Sequence, residues 1–349
     1  MTLFVDVNHL SKLVNHLGVP EFMSGLLSYL EQDFCRWPQF DKSARTAAHS
    51  DVGVVELMPI ADSHQYGFKY VNGHPGNPSQ GLSTVMAFGA LADMATGYPQ
   101  LLSELTISTA LRTAVTSAMA AKALARKDSR IMGMIGCGAQ SEFQAIAFHT
   151  LVGITELRIY DIDAAAMAKL AKHLRHYPAL TVIHATSAKT CVQGADIVTT
   201  VTADKTKATI LTADMVEPGM HINGVGGDCP GKTELHIDVL KAAKIFVEHE
   251  PQTRIEGDIQ QLAADHTVHA LWQVIAKQTQ GRDSQTQITL FDSVGFALED
   301  FSVLRFIYDK AREFQIGTEI NLIPELSDPK DLFARLQANC PQVVTRRIA

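Results

Sequence analysis

The feature that most constrains the fold is a repeated alternation of short apolar runs and helical segments from about Ser129 onward. The runs typical of buried strands are IMGMIG, LRIYDID, LTVIHA, ADIVTTVT, GMHINGVGG, KIFVEHE and ITLFDSVG. Helical spacing occurs between them in AQSEFQAIAFHTL, AAAMAKLAKHL, the residues near SAKTCVQG, the stretch from Leu235 to Ala243, and Phe296 to about Phe314. Repeated strand, helix, strand units predict an α/β, doubly wound domain with a mostly parallel sheet.

A glycine loop between the first of these strands and its helix is a candidate cofactor site. In MIGCGAQSEFQ, Gly136 and Gly138 lie where a dinucleotide pyrophosphate meets the amides of a helix N-terminus, although Ser141 replaces the third glycine of the usual pattern. The next strand ends at Asp161, where such folds place an acid on the adenosine ribose. An acid there favours NAD over NADP, whose phosphate it would repel. The alternative is that Asp161 caps the following helix.

The first hundred residues follow a different pattern and predict a separate α+β domain. Helical stretches from Val7 to Arg36 precede the strands VGVVELMP and YGFKYVN, and DMATGYP has turn chemistry between two strand-like runs. A long helix from about Thr106 to Ala125 would connect the two domains. The predicted division is 1–128 for the first domain and 129–317 for the Rossmann-like, NAD-binding domain, and the pattern alone does not say where the tail 318–349 packs.

Composition and charge exclude several classes of protein. The 349 residues are 46% hydrophobic and 19% charged, with a formal net charge of −7, so neither a disordered chain nor a nucleic-acid partner is expected. The N-terminus lacks a signal-peptide core and no apolar run reaches membrane-spanning length, which predicts a cytoplasmic protein without a membrane contact. The five cysteines lack a CxxC pair and are expected to be free thiols, and the scattered histidines predict no metal site.

Isolated charges in apolar surroundings are candidate substrate contacts. Arg112 stands alone in TISTALRTAVTSAMAAKALA, where it would bind either an anionic ligand or an internal acid. Glu56 shares a strand face with apolar neighbours, whereas Lys69, taken alone, is typical of a solvated strand position. Arg45 in KSARTAAHS is weaker by itself. Together these cations could hold a carboxylate and Glu56 an amine, a combination that an amino acid would satisfy.

The turn VGGDCPGKTELH carries a single carboxylate, Asp228, between glycines and a Cys-Pro-Gly segment. Asp is a common turn former, so a structural role is the alternative to a functional one. Cys229 beside it is a small turn residue rather than a nucleophile, because no positioned histidine is apparent.

Several stretches together resemble the ornithine cyclodeaminase and mu-crystallin family. They are KSAR, VVELMP, FKYVNGHP, LLSELTISTALRTA, MIGCGAQSEFQ, INGVGGDCPGKTEL, EHEPQTRIEGDIQQ and FDSVGFALED, and they span nearly the whole chain. The resemblance implies a homodimer in which the first domain, joined by the C-terminal tail, binds substrate and forms the dimer. The active site would lie in the cleft between this domain and the NAD domain.

The resemblance also implies roles for individual residues. Asp228 would be the acid and base, Arg45, Lys69 and Arg112 would bind the substrate carboxylate, and Glu56 and Val294 would line the substrate site. The cofactor contacts implied by the resemblance or by the glycine loop are Thr84, Arg112, Gly136, Gly138, Ala139, Gln140, Asp161, Thr202, Asn223, Gly224, Val225, Lys232 and Ser293.

The activity that the resemblance implies is the NAD-dependent conversion of L-ornithine to L-proline and ammonia. Alternatives within the family are an amino-acid dehydrogenase, a lysine cyclodeaminase or a cyclic ketimine reductase, because one methylene in a pocket changes binding by only about 1 to 3 kcal/mol. A binding or structural role, as in mu-crystallin relatives, is a further alternative. The intact Asp228, Lys69 and Arg112 argue against it.

Overall fold

Two large β-sheets organise the chain, and the computed structural model describes residues 1–203 and 207–337. The strands are β1 Thr2–Val5, β2 Asp41–Lys42, β3 Thr46–Ser50, β4 Gly53–Ala61, β5 Gln65–Gly73, β6 Val85–Asp93, β7 Pro99–Glu104, β8 Ile131–Ile135, β9 Glu156–Tyr160, β10 Thr181–His184, β11 Ile197–Thr200, β12 Lys207–Leu211, β13 His221–Gly224, β14 Thr233–Leu235, β15 Lys244–Val247, β16 His269–Ala270, β17 Thr289–Asp292 and β18 Thr318–Ile320. The helices are α1 Val7–Leu17, α2 Val19–Cys35, α3 Thr106–Leu124, α4 Ser141–Ala147, α5 Ala164–Leu174, α6 Ala188–Val192, α7 Ile237–Ala242, α8 Glu250–Glu256, α9 Leu271–Ile275, α10 Ala297–Glu313 and α11 Ala334–Gln337.

The second sheet has the strand order β10-β9-β8-β11-β13-β17-β15-β16, and its neighbouring strands pair in parallel. From β8 the chain first winds outward through β9 and β10, and then returns to β11 on the other side of β8. Strand order thus reverses between β8 and β11, and open α/β sheets bind their ligands beyond the carboxyl ends of the strands at such a reversal. The predicted doubly wound domain is confirmed.

The first sheet is mixed, in the order β18-β1-β7-β6-β5-β4-β2, with β3 also paired to β4. β6 and β7 form the predicted antiparallel hairpin. The sequence did not predict β1 or β3, because each is a short run without clear alternation. β18 pairs antiparallel with β1, so the chain beyond Gly317 does return to the first sheet; residues 338–349 lie outside the described part.

Helix α3 is buried on nearly all sides and joins the two sheets. It packs against α2 and α10 on one side and against α4, β13 and β17 on the other. Its many alanines make this possible, because small side chains allow neighbours to approach a helix from several directions. Arg112 in its second turn is thereby carried to the boundary between the sheets.

Helix α10 packs against α2 and against β4, β5 and β6 of the first sheet. It follows β17 directly in the chain, so a segment predicted to belong to the NAD domain covers the inner face of the other sheet. The predicted domain boundaries at 128/129 and 317/318 stay a prediction. Among the described residues, no helix is long and apolar enough to cross a membrane.

The described cysteines form no disulfide. Cys35, Cys137 and Cys191 are free, Cys229 is half-buried in its turn, and Cys340 is outside the described residues. Burial raises the pKa of Cys137 and of Cys191 to about 12, so both thiols stay protonated and unreactive.

Candidate active site

The carboxyl ends of the parallel strands bring most of the predicted cofactor contacts to one edge of the second sheet. Gly136 follows β8, Asp161 follows β9, Thr202 lies beyond β11, Val225 follows β13 and Ser293 follows β17. Adjacent parallel strands end at the same edge, so residues far apart in sequence become neighbours there. Asn223 and Gly224, the last residues of β13, are buried at this edge.

The glycine loop after β8 leaves room for a ligand. Gly136 has φ of +106°, and a Cβ there would lie 2.6 Å from the Val201 carbonyl oxygen, so only glycine fits. A Cβ at Gly138 would meet no atom within 4 Å, which makes this the open side of the loop. Ala139 beside it is exposed. The Gln140 side chain donates a hydrogen bond to the Ala110 carbonyl at 2.9 Å and ties the loop to α3.

Asp161 lies beside this loop and does not cap the next helix. Its carboxylate accepts hydrogen bonds from the amides of Cys137 at 2.7 Å and Asp163 at 2.9 Å. Asp163 caps α5 instead, accepting from the Ala165 amide. The helix-cap alternative is therefore wrong, and Asp161 is left at the end of β9, next to the loop, where an adenosine ribose would lie.

Two buried acids that the sequence analysis overlooked shape the chain around Asp228. Glu234 accepts hydrogen bonds from the amides of Thr202 at 2.8 Å and Gly226 at 3.0 Å. A Cβ at Gly227 would lie 2.6 Å from Asp258 Oδ2. A side chain at the glycines before Asp228 would clash with these buried acids, so packing inside the protein explains why glycine is required there. The close approach of a cofactor to these glycines stays a prediction.

Asp228 itself reaches into open space. Its side chain is 53% exposed, and Lys232 Nζ lies 3.2 Å from its carboxylate. Lys232 also donates to the Thr202 carbonyl at 3.2 Å. Burial would lower the pKa of Lys232, but the charges of Asp228 and Glu234 raise it above its ordinary value. The Lys232 ammonium group therefore lies between Asp228, the predicted acid and base, and the edge of the second sheet where the predicted cofactor contacts lie.

Arg45 connects the first sheet to the turn after β17. Its guanidinium donates to the carbonyls of Val294 and Gly295, each at 2.7 Å, and pairs with Glu56 at 3.0 Å and Glu256 at 3.2 Å. Burial raises the pKa of Glu256 to about 7, with further contributions from the charges of Glu56 and Asp228. The predicted substrate residues Arg45, Glu56 and Val294 are thus in contact.

Lys69 and Arg112 share a buried counterion that α10 supplies. Lys69 Nζ lies 2.8 Å from the Asp300 carboxylate, and Arg112 Nε lies 3.0 Å from it. Arg112 also pairs with Glu299. The interpretation of Lys69 as a solvated position is wrong, since β5 turns this side chain inward against α10 and only 1% of the residue is exposed. Arg112 has the internal acidic partners that the sequence left as one alternative.

A second group of acids also escaped the sequence analysis. Glu248, in the predicted strand run KIFVEHE, is buried and accepts hydrogen bonds from Ser293 Oγ at 2.8 Å and the Gly295 amide at 3.2 Å. Burial, with the charge of Glu299, raises its pKa to about 8. The adjacent acids of FALED, at the start of a helix with an apolar face, were the available signal for Glu299 and Asp300.

One predicted position, Thr84, is less closely connected to this edge. Thr84 precedes β6 in the first sheet, and its carbonyl accepts a hydrogen bond from the His74 amide at 2.8 Å. Its contact with a cofactor stays a prediction.

In the part of the chain that the structure describes, no three His, Cys, Asp or Glu side chains are grouped so that they could hold a metal ion.

The fold defines the chain as a Rossmann-like α/β protein with a second sheet domain facing the cofactor edge. A sequence model of the ornithine cyclodeaminase/mu-crystallin family matches residues 7–315, and the chain belongs to this family. An ornithine cyclodeaminase of Brucella suis biovar 1 (strain 1330) is 55% identical over 333 residues, which cover 95% of this chain and 93% of that protein. The predicted family is confirmed.

Solved structures agree with this assignment. A lysine cyclodeaminase, studied for its recognition of L-lysine, L-ornithine and L-2,4-diaminobutyric acid, has a TM-score of 0.90 at 29% identity and covers 95% of this chain and 99% of its own. An archaeal alanine dehydrogenase dimer with bound NAD has a TM-score of 0.85 at 32% identity, covering 92% and 99%. These neighbours confirm the predicted fold class.

Proposed function

We propose that this protein is an NAD-dependent cyclodeaminase, an ammonia-lyase that converts L-ornithine to L-proline and ammonia. The observation that carries the proposal is a set of contacts near the carboxyl ends of the parallel strands. Arg45 contacts the turn after β17, and Lys69 and Arg112 contact α10, which begins just after that turn. Asp228 follows β13 at the same edge of the sheet. The relatives named ornithine cyclodeaminase, at 55% identity over 95% of the chain, support the same reaction.

The residues present fit a dinucleotide. The open side of Gly138 and the amides of the glycine loop suit a pyrophosphate, and Asp161 suits the two hydroxyls of an adenosine ribose. Val225, Lys232 and Ser293 lie further along the edge, beside the Asp228 turn, where the nicotinamide end would be held. NAD held by these residues would supply a hydride acceptor for the substrate Cα and the donor that later returns the hydride, so that no NADH would accumulate.

The cations would hold the substrate carboxylate in the cleft. Arg45 offers a planar guanidinium, and Lys69 and Arg112 add two buried charges next to it. Internal acids already neutralise these three side chains, so a carboxylate would share them rather than find them bare. Glu56 flanks Arg45 and provides a carboxylate for an amine of a diamino acid, and Glu256, whose pKa burial raises to about 7, adds a second carboxyl group beside it.

Asp228 would move the protons of ring closure. After Cα is oxidised to the imine, the δ-amine attacks Cα, the amine loses a proton, and the former α-amino nitrogen must gain one to leave as ammonia. A carboxylate that accepts the first proton and returns it to the leaving nitrogen performs both transfers. Glu234 and Asp258 are held by hydrogen bonds from backbone amides, whereas the Asp228 side chain is half-exposed and contacts Lys232. This difference suits a group that must approach two nitrogens in turn.

The outer face of the first sheet supports a homodimer. Leu57, Tyr70 and Phe88 are paired across β4, β5 and β6 and are 41%, 36% and 45% exposed. The rings of Tyr70 and Phe88 stack with centroids 5.1 Å apart. A row of large apolar side chains on one sheet face is typical of a surface that a second chain covers. The dimeric alanine dehydrogenase among the neighbours supports a second copy as the occupant.

A cytoplasmic role in ornithine and arginine catabolism and proline synthesis follows from the proposed reaction. The free thiols of Cys35, Cys137 and Cys191 support a reducing compartment.

The lysine cyclodeaminase neighbour makes L-lysine the first alternative substrate.

The deciding experiment incubates purified protein with L-ornithine and a trace of NAD and assays proline, ammonia and nicotinamide absorbance. Many proline equivalents per NAD, without net NADH, are expected. Steady accumulation of NADH with a keto acid would instead identify an amino-acid dehydrogenase. Absence of any product from ornithine would contradict the proposal and direct the assay to L-lysine and cyclic imines.

A further inference from the structure

The turn that carries Asp228 lies outside the second sheet. It leaves β13 at Gly224 and returns to regular structure at β14, which pairs with β12 rather than with the main sheet. A half-exposed side chain on such a turn has no strand neighbours to set its direction. Some other part of the protein must therefore fix where the Asp228 carboxylate points.

The side chain of Gln260 supplies these contacts. Its Oε1 accepts a hydrogen bond from the Gly231 amide at 2.7 Å, its Nε2 donates to the Lys232 carbonyl at 3.1 Å, and the Cys229 carbonyl lies 3.4 Å from the same nitrogen. Gln260 is half-buried and comes from the 3₁₀ helix Asp258–Gln261. A single amide thus holds the backbone on the C-terminal side of Asp228 through both an acceptor and a donor.

The 3₁₀ helix is itself anchored to the parallel sheet. The Asp292 carboxylate, at the end of β17, accepts hydrogen bonds from the amides of Asp258 at 3.0 Å and Ile259 at 2.8 Å. Asp258 Oδ1 in turn accepts from the amides of Glu234 at 2.8 Å and Leu235 at 2.9 Å. Burial raises the pKa of both carboxyl groups, that of Asp258 to about 7, yet each group accepts two backbone amides and so fixes the segment that it contacts. Hydrogen bonds therefore connect the end of β17, through the 3₁₀ helix, to the turn at Gly231 and Lys232 and to β14 at Glu234 and Leu235.

Gln260 also bonds to its own helix, which limits its motion. The other N–H of Nε2 donates to the Gly257 carbonyl at 2.9 Å, and the Glu256 carbonyl lies 3.3 Å from the same nitrogen. Neither a carboxylate nor an apolar side chain of equal length can both accept from an amide and donate to carbonyls. The chemistry at this position therefore requires an amide.

We propose that Gln260 is a positioning residue that aims Asp228 for proton transfer by holding the turn 229–232. This inference rests on the proposed function, in which Asp228 is the acid and base. Efficient proton transfer requires a group within hydrogen-bond reach of the reacting nitrogen. A turn that shifts by about 1 Å can reduce a reaction rate on the order of 100-fold.

The test compares Gln260→Met with the matched control Gln261→Met. The neighbouring Gln261 amide donates to the Leu235 and Asp258 carbonyls and does not contact the turn 229–232 in any hydrogen bond that the structure describes. Gln260→Met should lower kcat on the order of 10-fold to 100-fold, with KM for ornithine and NAD changed by less than about threefold. It should also form more NADH per proline, because water attack on an uncyclised imine leaves the nicotinamide reduced.

A second measurement does not depend on catalysis. In the NAD-bound protein, amide hydrogen exchange of a peptide that contains Gly231 and Lys232 should increase in Gln260→Met and stay near wild type in Gln261→Met, while exchange in the second sheet should be unchanged in both variants. Equal kcat and equal exchange in the two variants would overturn the inference. A wild-type protein that makes no proline would refute the proposed function instead, while exchange would still show whether Gln260 holds the turn.

Discussion

Lys69 and Asp300 form a buried ion pair, with Nζ 2.8 Å from the carboxylate, between a strand of the first sheet and the first turn of α10. Arg112 shares the same carboxylate at 3.0 Å. Burial and, after it, the charge of Arg112 lower the pKa of Lys69 to about 8, against the opposing effect of Asp300. The predicted carboxylate site therefore contains one cation whose charge is lost in a pH range that is easily reached.

From this follows a pH dependence of ligand binding. Below about pH 8, Lys69 in the free enzyme is protonated, and affinity for a carboxylate should be constant. As the pH rises through about 8, Lys69 loses its proton, so this affinity should weaken. The loss approaches about tenfold per pH unit until the pKa of the ligand-bound state is passed. Proline is a suitable probe, measured as a competitive inhibitor from pH 6.5 to 9.5, because its own amine titrates well above this range.

The counterion gives a further check on that pH dependence. Asp300→Asn removes the charge that raises the pKa of Lys69, so the weakening of proline binding should begin at lower pH. An inhibition constant that stays flat across pH 8 in the wild-type protein would contradict the role of Lys69 in carboxylate binding.

Replacing Asp228 should separate binding from turnover. Asp228→Asn keeps the size of the side chain but removes the base, so proline formation should fall by about 100-fold or more while NAD and ornithine still raise the melting temperature. Asp265→Asn, at an exposed position, is the control and should retain wild-type turnover. Near-normal turnover in Asp228→Asn would remove this residue from the proposed mechanism.

Cofactor choice should depend on Asp161. Asp161→Asn retains an acceptor for the Cys137 amide but loses the negative charge, so the preference for NAD over NADP in kcat/KM should fall by about tenfold or more. Asp163→Asn makes the same change in charge two residues away, and Asn also caps helices well. An equal change of preference in both variants would indicate a general electrostatic effect rather than a ribose contact.

The outer face of the first sheet should control assembly. Phe88→Asp places a charge in the row formed with Leu57 and Tyr70, and light scattering after gel filtration should then show a shift from dimer to monomer. Ile162→Asp, at a residue that is 96% exposed in the other domain, should remain dimeric. A wild-type protein that is monomeric at micromolar concentration would count against the proposed homodimer.

The strands and helices of the second domain were predictable because their signals are local. A buried parallel strand is a short apolar run, and a glycine loop between β8 and α4 is visible in a few consecutive residues. The resemblance to a family added the residues of the site. Lys69, however, was indistinguishable from a solvated lysine, because its neighbours in sequence carry no information about α10.

The amino-acid sequence alone determined the alternation of elements, the glycine loop and the identity of the charged residues. Only the tertiary structure decided which charges meet: Asp300 reaches Lys69 across 231 positions, and Arg45 reaches Val294 across 249. It also paired β18 with β1 and β12 with β14. The physical reason is that periodicity reports which face of an element is buried, whereas the partner buried against that face depends on how distant elements pack.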